Sequence, residues 1–310
     1  MRILDELSTF LAFPAQFRQV GQDVLTLDEH GFALLPSGET GKKIDLLFTA
    51  LIHGDEVVGL EAFNLVLSKL LKLQNRPTIS IGFLLCNIAA AKAGKRFIET
   101  DLNRSFAIPN PISAEEQRAA QVASIVDAAS FVFDIHQTVE PTESSFVIFG
   151  HDENLIGLAH HLLPELPIVT FPLEGFSQGG KTLNEYAAMV GARALSIECG
   201  QKGFSTEIAE QTVASCFQLI AELESPSPAR DKKEIEVYYI SKFIMNTPGA
   251  CLTLGMTNFM AITAGQVLGQ RSEGPILSPV AGRLFFPKYG ELASKSPELC
   301  EIGVPRKVRI

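Results

Sequence analysis

His53 and Glu56 stand three residues apart, directly after the apolar run Ile44 to Leu51 and before an amphipathic run from about Val57 to Leu73. That pattern reads as a buried strand, a tight turn at Gly54 and a helix. One imidazole and one carboxylate at this spacing can reach a single Zn²⁺. A catalytic zinc usually takes three protein ligands, His₂Glu among the known sets, and keeps a fourth position open for water. The pair therefore calls for a second histidine at another strand end and for a free carboxylate nearby. His136 closes the apolar run Ser130 to Ile135, and Glu198 closes the run Ala192 to Ile197. Each of these residues alone has a bland reading: a polar pair at a helix start, a structural histidine, a carboxylate open to water. Their convergence on strand ends favours a site, with His53, Glu56 and His136 on the metal and Glu198 as general base.

A polar segment, Lys95 to Phe106, carries Arg96, Asp101, Asn103 and Arg104 without strand or helix periodicity. It reads as a loop over one end of the sheet. It is either a solvated basic loop or a device for carboxylate recognition and oxyanion support, for which the planar guanidinium is suited. Asp101 would hold this loop or a ligating histidine. Asp134 shares a strand face with His136. Cys199, beside Glu198, has no activating partner in the sequence and reads as a small hydrophobe.

The elements that must position these residues follow from the rest of the chain. Its 310 residues exceed one ordinary core, and 46% are hydrophobic against 20% charged. Residues 1–40 form an N-terminal extension, with a helix over Ile3 to Phe13 and one or two strands between Val24 and Pro36. Further strands are expected at Thr78 to Cys86 and Phe146 to Phe149. Helices are expected from Ser113, whose capping box closes on Glu116, at Glu153 to Leu163, at Thr182 to Val190 and at Ser205 to Leu223. Gly175 to Lys181 reads as a flexible loop. Alternating strands and helices predict an α/β fold: a mixed, mostly parallel central sheet with helices on both faces. Ligands of such sheets bind beyond the carboxyl ends of the strands. The expected organisation is a catalytic domain over 1–224, a Ser/Pro-rich linker over 225–234 and a small β-rich domain over 235–310.

The net charge of −9 argues against nucleic acid as a partner. The N-terminus does not read as a signal peptide, and no run of eighteen apolar residues predicts a membrane span. Cys86, Cys199, Cys216, Cys251 and Cys300 form no CxxC pair, which points to reduced thiols in the cytoplasm.

In combination, His53-Gly54-Asp55-Glu56, Asp101-Leu102-Asn103-Arg104, Asp134-Ile135-His136-Gln137-Thr138 and Ile197-Glu198-Cys199-Gly200 resemble the succinylglutamate desuccinylase/aspartoacylase family, of the zinc carboxypeptidase-like clan. The resemblance implies one zinc ion on His53, Glu56 and His136. It implies that Arg96 polarises the scissile carbonyl, that Asn103 and Arg104 hold a substrate carboxylate, and that Glu198 is the acid/base. The reaction would be hydrolysis of a small acidic N-acyl amino acid or related amide. Aspartoacylases carry an arginine shortly upstream of the catalytic glutamate, where this chain has Thr182 to Tyr186 and no arginine; Lys181 and Arg193 are candidates to replace it. The alternatives are a zinc carboxypeptidase and a family member that binds without turnover. A homo-oligomer is left open.

Overall fold

Short apolar runs bounded by turn residues become buried strands, and longer runs with a 3.6-residue period become helices. A computed structural model describes residues 2–39, 41, 43–74, 76–172, 180–226 and 233–310. In chain order they form α1 (Arg2–Gln19), β1 (Asp23–Asp28), β2 (Gly31–Leu35), β3 (Ile44–Ala50), α2 (Val58–Lys72), β4 (Ile81–Leu85), α3 (Ile88–Ala93), a 3₁₀ turn (Leu102–Arg104), α4 (Ala114–Val126), β5 (Ala129–Thr138), β6 (Phe146–Gly150), α5 (Glu153–Leu162), β7 (Ile168–Phe171), α6 (Leu183–Met189), β8 (Arg193–Gln201), α7 (Thr206–Glu224) and β9 (Glu234–Met245). Short strands then lead to a last long one, Glu298–Arg309.

Two compact units divide the chain, Met1–Gln137 with Glu174–Ala229 and Thr138–Leu173 with Arg230–Ile310. In the first, the strands lie in the order β1-β2-β4-β3-β5-β8. β3 pairs in parallel with β4 and with β5, while β1 and β2 add an antiparallel edge. Successive side chains on a strand point to opposite faces. Leu47, Leu84 and Val132 therefore enter a core with Ala119 and Val122 of α4 and Leu183 of α6. Phe48 and Phe83 face the other way and pack with Phe63 of α2. Helices thus cover both faces, as the alternation predicts.

Two local features were not evident from the chain alone. α1 continues past Phe13 to Gln19 with Pro14 inside it. Burial of Phe13 and Phe17 offsets the hydrogen bond that proline removes. The Ala-rich stretch after Asn87 is helix α3: the Asn87 side chain caps it through Ala90 N, and Gly94, at φ 61°, ends it.

In the second unit β6 and β7 are parallel, β7 is parallel to β9, and β9 pairs antiparallel with Glu298–Arg309. A three-stranded sheet lies beside them in sequence, so the C-terminal region is β-rich as expected. Pairing of Ile168 with Val237 groups segment 138–173 with the C-terminal strands, which chain order does not reveal. Most of the expected linker 225–234 (residues 227–232) and most of the expected loop 175–181 lie outside the described residues. Among those described, no helix is long and apolar enough to cross a membrane. The five cysteines are free thiols, and Cys251 alone is exposed.

Candidate active site

The strand ends meet in the first unit. The β3–β5 register sets Ala50 against Ile135, so His136 lies one position beyond the end of β3. The chain leaves β3 through Leu51, which is fully buried at φ 59°, a left-handed conformation rarely adopted by leucine. Its carbonyl accepts Asn87 N at 2.8 Å, and Gly54 N donates to Arg96 O at 2.9 Å. Gly54 is needed for space rather than for turn geometry. A Cβ there would fall 2.3 Å from Ala91 N and 2.4 Å from Ala90 C, both in the backbone of α3. Gly54→Ala is therefore expected to lower stability by about 1–3 kcal/mol and to displace His53, one residue before it, and Glu56, two residues after it. Urea unfolding and metal content check this together; a wild-type melt would show that α3 yields freely.

The side chains of His53, Glu56 and His136 are buried, and one candidate ligand atom from each lies within 4.8 Å of the others. His53 Nδ1 sits 2.7 Å from Glu56 Oε1, and His136 Nδ1 sits 2.9 Å from Glu56 Oε2. The far nitrogens are held by other carboxylates. His136 Nε2 is 2.6 Å from Asp134 Oδ2, and His53 Nε2 is 3.1 Å from Asp101 Oδ1. Thr49 Oγ1 fixes the second Asp134 oxygen at 2.7 Å. A carboxylate behind each imidazole, with the opposite nitrogens converging, is the arrangement that orients histidines for a metal ion. The donor set fits such an ion.

Burial alone would push the Glu56 carboxyl up, yet His53 and His136 outweigh it and hold the group well below its usual range. Burial alone would pull His136 down, yet Asp134 and Glu56 hold it well above its usual 6.5. In His53 burial and Arg96 are outweighed by Glu56 and Asp101, so this ring too is raised. Both rings thus hold a proton more readily than a free imidazole, and an ion bound there would have to displace it. Metal affinity is therefore expected to rise with pH, by at most about tenfold per unit for each displaced proton. Chelator competition at pH 6, 7 and 8 measures this; a flat profile would contradict the proton displacement.

Glu198 lies near the end of β8 and is buried, and its Oε2 has no hydrogen-bond partner among the described residues. Burial and then Glu56 push its carboxyl up to about 7, against the pull of His136, His53 and Arg96. An orphaned buried carboxylate oxygen is costly, and a water or a ligand group that donates to it would relieve that cost. Burial pushes the neighbouring Cys199 thiol up to about 12, and Thr212 Oγ1 donates to its sulfur, so it is a poor nucleophile.

Arg96 reaches the same cluster. Its Nη1 donates to Glu56 Oε1 at 2.9 Å, and its Nη2 lies 2.7 Å from His53 Nε2. Asn103 uses Oδ1 to accept Leu183 N at the start of α6, which leaves its amide hydrogens for another partner. Arg104 is exposed and donates to Asn103 O. Phe106 and Lys181 exchange backbone hydrogen bonds, so the segment is zipped to the approach of α6. Lys181 itself stands 3.7 Å from Glu185. Arg193 is at the start of β8, over the Phe131 ring, at the opposite strand end from Glu198.

Gln137 and Lys202 play parts that motif reading did not single out. Gln137 N donates to Glu56 Oε2, its Oε1 accepts Val58 N, and its Nε2 donates to Gln201 O and Gly203 O. It satisfies an orphan amide of α2 and ties the turn after β8 to Glu56. Lys202, in that turn, holds Asp55 at 2.6 Å.

The catalytic-domain model of the succinylglutamate desuccinylase/aspartoacylase family matches residues 42–223. A succinylglutamate desuccinylase of Pseudomonas aeruginosa is 23% identical over 285 residues, covering 84% of this chain and 85% of its own. Among solved structures, succinylglutamate desuccinylase from Vibrio cholerae superposes with a TM-score of 0.71 at 17% identity, covering 91% of this chain and 90% of that one. Murine aminoacylase 3 gives 0.69 at 18% identity, covering 88% of this chain and 98% of that one.

Proposed function

Because the chain belongs to the succinylglutamate desuccinylase/aspartoacylase family, we propose that it is a zinc-dependent deacylase, hydrolysing the amide bond of an N-acyl amino acid or a related small amide. The observation that carries this reading is the convergence of His53, Glu56 and His136 beside a buried carboxylate, Glu198, with an unpartnered oxygen. Two imidazoles and one carboxylate suit zinc and leave a coordination position for water. Bound there, zinc would act as a Lewis acid, acidifying a water and polarising the acyl carbonyl.

The chain's own residues divide the remaining work. Asp101 and Asp134 set which nitrogen of each histidine carries the proton. Glu198 takes the proton from the attacking water at Oε2 and returns it to the leaving amine nitrogen. Arg96 donates to the carbonyl oxygen as negative charge grows on it. The Asn103 amide and the Arg104 guanidinium hold the substrate carboxylate, a planar anion that suits Arg104's fork. Reduced thiols support a cytoplasmic location.

Zinc analysis of the purified protein, with turnover of a panel of N-acyl amino acids, tests this reading. Protein that holds no zinc, and gains no amide hydrolysis on adding it, would exclude it. Arg104→Ala is expected to raise KM for acidic acyl-amino acids by about ten- to a hundredfold, the worth of a charged hydrogen bond. Uncharged amides should change far less, and equal effects on both would remove the carboxylate-holding role.

A further inference from the structure

Glu115 belongs to the first turn of α4, next to the capping-box residue Glu116, and its neighbourhood is unlike that of an ordinary helix-start acid. It is 2% exposed and accepts four hydrogen bonds. Three come from consecutive backbone amides: Ile98 N at 2.6 Å, Glu99 N at 3.1 Å and Thr100 N at 3.2 Å. The fourth comes from Asn87 Nδ2 at 3.3 Å, whose other side-chain atom caps α3. Burial would raise the carboxyl, but these donors hold it below its usual range, so it stays ionised in place.

The segment that Glu115 grips has no helix or strand to satisfy its amides, so the carboxylate supplies their acceptor. Immediately on either side stand the residues that touch the candidate site. Arg96 is two positions before Ile98 and contacts Glu56 and His53. Asp101 follows Thr100 directly and stands behind His53 Nε2. The Arg96 carbonyl is fixed separately by Gly54 N. The turn is also held by Thr100 Oγ1, 2.8 Å from Ser113 Oγ, and by Glu99 Oε2, which accepts Ala114 N at 3.0 Å; Glu115 is the group that takes all three consecutive amides on the path from Arg96 to Asp101.

We infer that Glu115 is a positioning residue, which holds the 98–100 turn so that Asp101 orients His53 toward a metal and Arg96 toward the substrate carbonyl. The inference rests on the proposed deacylase reading for its consequence in turnover, but not for its consequence in metal binding. Glutamine has the same size, yet it offers one acceptor oxygen and turns an NH₂ group toward amide N–H donors. Glu115→Gln therefore breaks the grip without emptying the space. Glu115→Asp keeps the charge one methylene short and serves if the glutamine variant does not fold.

The test uses zinc alone as the first probe. Chelator competition is expected to show an affinity about tenfold weaker in E115Q and in D101N, with no further loss in the double variant. E115D should fall between wild type and E115Q. With an N-acyl amino acid that the wild type hydrolyses, kcat should fall about ten- to a hundredfold while KM stays within about twofold. Wild-type zinc affinity in both Glu115 variants, or losses that simply multiply in the double variant, would overturn the proposal. A wild type that binds zinc but hydrolyses no acyl-amino acid would count against the deacylase reading and leave the metal-binding result to decide this one.

Discussion

Glu198→Gln is expected to lower kcat for amide hydrolysis by about a hundred- to ten-thousandfold, the usual contribution of a positioned acid/base. The substitution nearly preserves volume in a buried position, so packing is not the cause of the loss. Zinc affinity should be unchanged within a few-fold, because Glu198 is not one of the converging ligand residues. The pH profile adds a second reading. As the proposed base, Glu198 must be ionised, and burial pushes its carboxyl up to about 7. A dication at the histidines can only pull that value down. The rising limb of kcat/KM is therefore expected at or below about pH 7 and should be lost in the glutamine variant. A variant with wild-type kcat would assign proton transfer to another group.

Arg96→Ala is expected to cost about a hundred- to a thousandfold in kcat, the range for removing one donor to a developing oxyanion. The interpretation needs a control, because Arg96 also contacts Glu56 and lies 3.5 Å from Asp101. Zinc affinity supplies it: a large fall in kcat with affinity reduced tenfold or less isolates the transition-state role. Arg96→Lys keeps the charge and loses the planar fork, so only part of the activity should survive. Loss of zinc equal to the loss of turnover would reduce Arg96 to a structural partner of Glu56.

Much of this arrangement was legible in the chain because it depends on strand ends. Buried parallel strands are nearly continuous apolar runs, so Ile44 to Leu51 and Ser130 to Ile135 announce both their position and their exits. His53 stands just past the end of β3, and His136 lies inside β5, two residues before its end. Glu198 follows the same logic on β8. The contacts that hold the site were not legible, since they join residues far apart in sequence. Gln137 reads as an ordinary polar residue until its amide is seen bridging Val58, Gln201 and Gly203. Glu115 looks like a helix-start acid, because nothing in the sequence says that three amides of residues 98–100 turn toward it. Asn103 has a carbonyl oxygen committed to α6, a constraint that only the fold supplies. Strand β7 was missed for a related reason: Ile168 to Phe171 is four residues long, too short for periodicity to separate from loop.

Leu51 gives the turn before His53 a property that glycine would not. Holding leucine at positive φ costs about 1–2 kcal/mol. Deleting a buried leucine side chain costs about 2–5 kcal/mol. The packing of the side chain therefore outweighs the backbone penalty, and the residue is retained in a conformation it would not choose alone. Glycine would relax the backbone but would also widen the range of directions in which His53 leaves the strand. That freedom would have to be surrendered each time an ion was captured. With leucine wedged in the core, it is surrendered once, during folding, and the candidate ligands are already ordered for an ion. Apo and loaded protein should accordingly differ little in the backbone of this turn, and ion capture should be a local event rather than a coupled folding step.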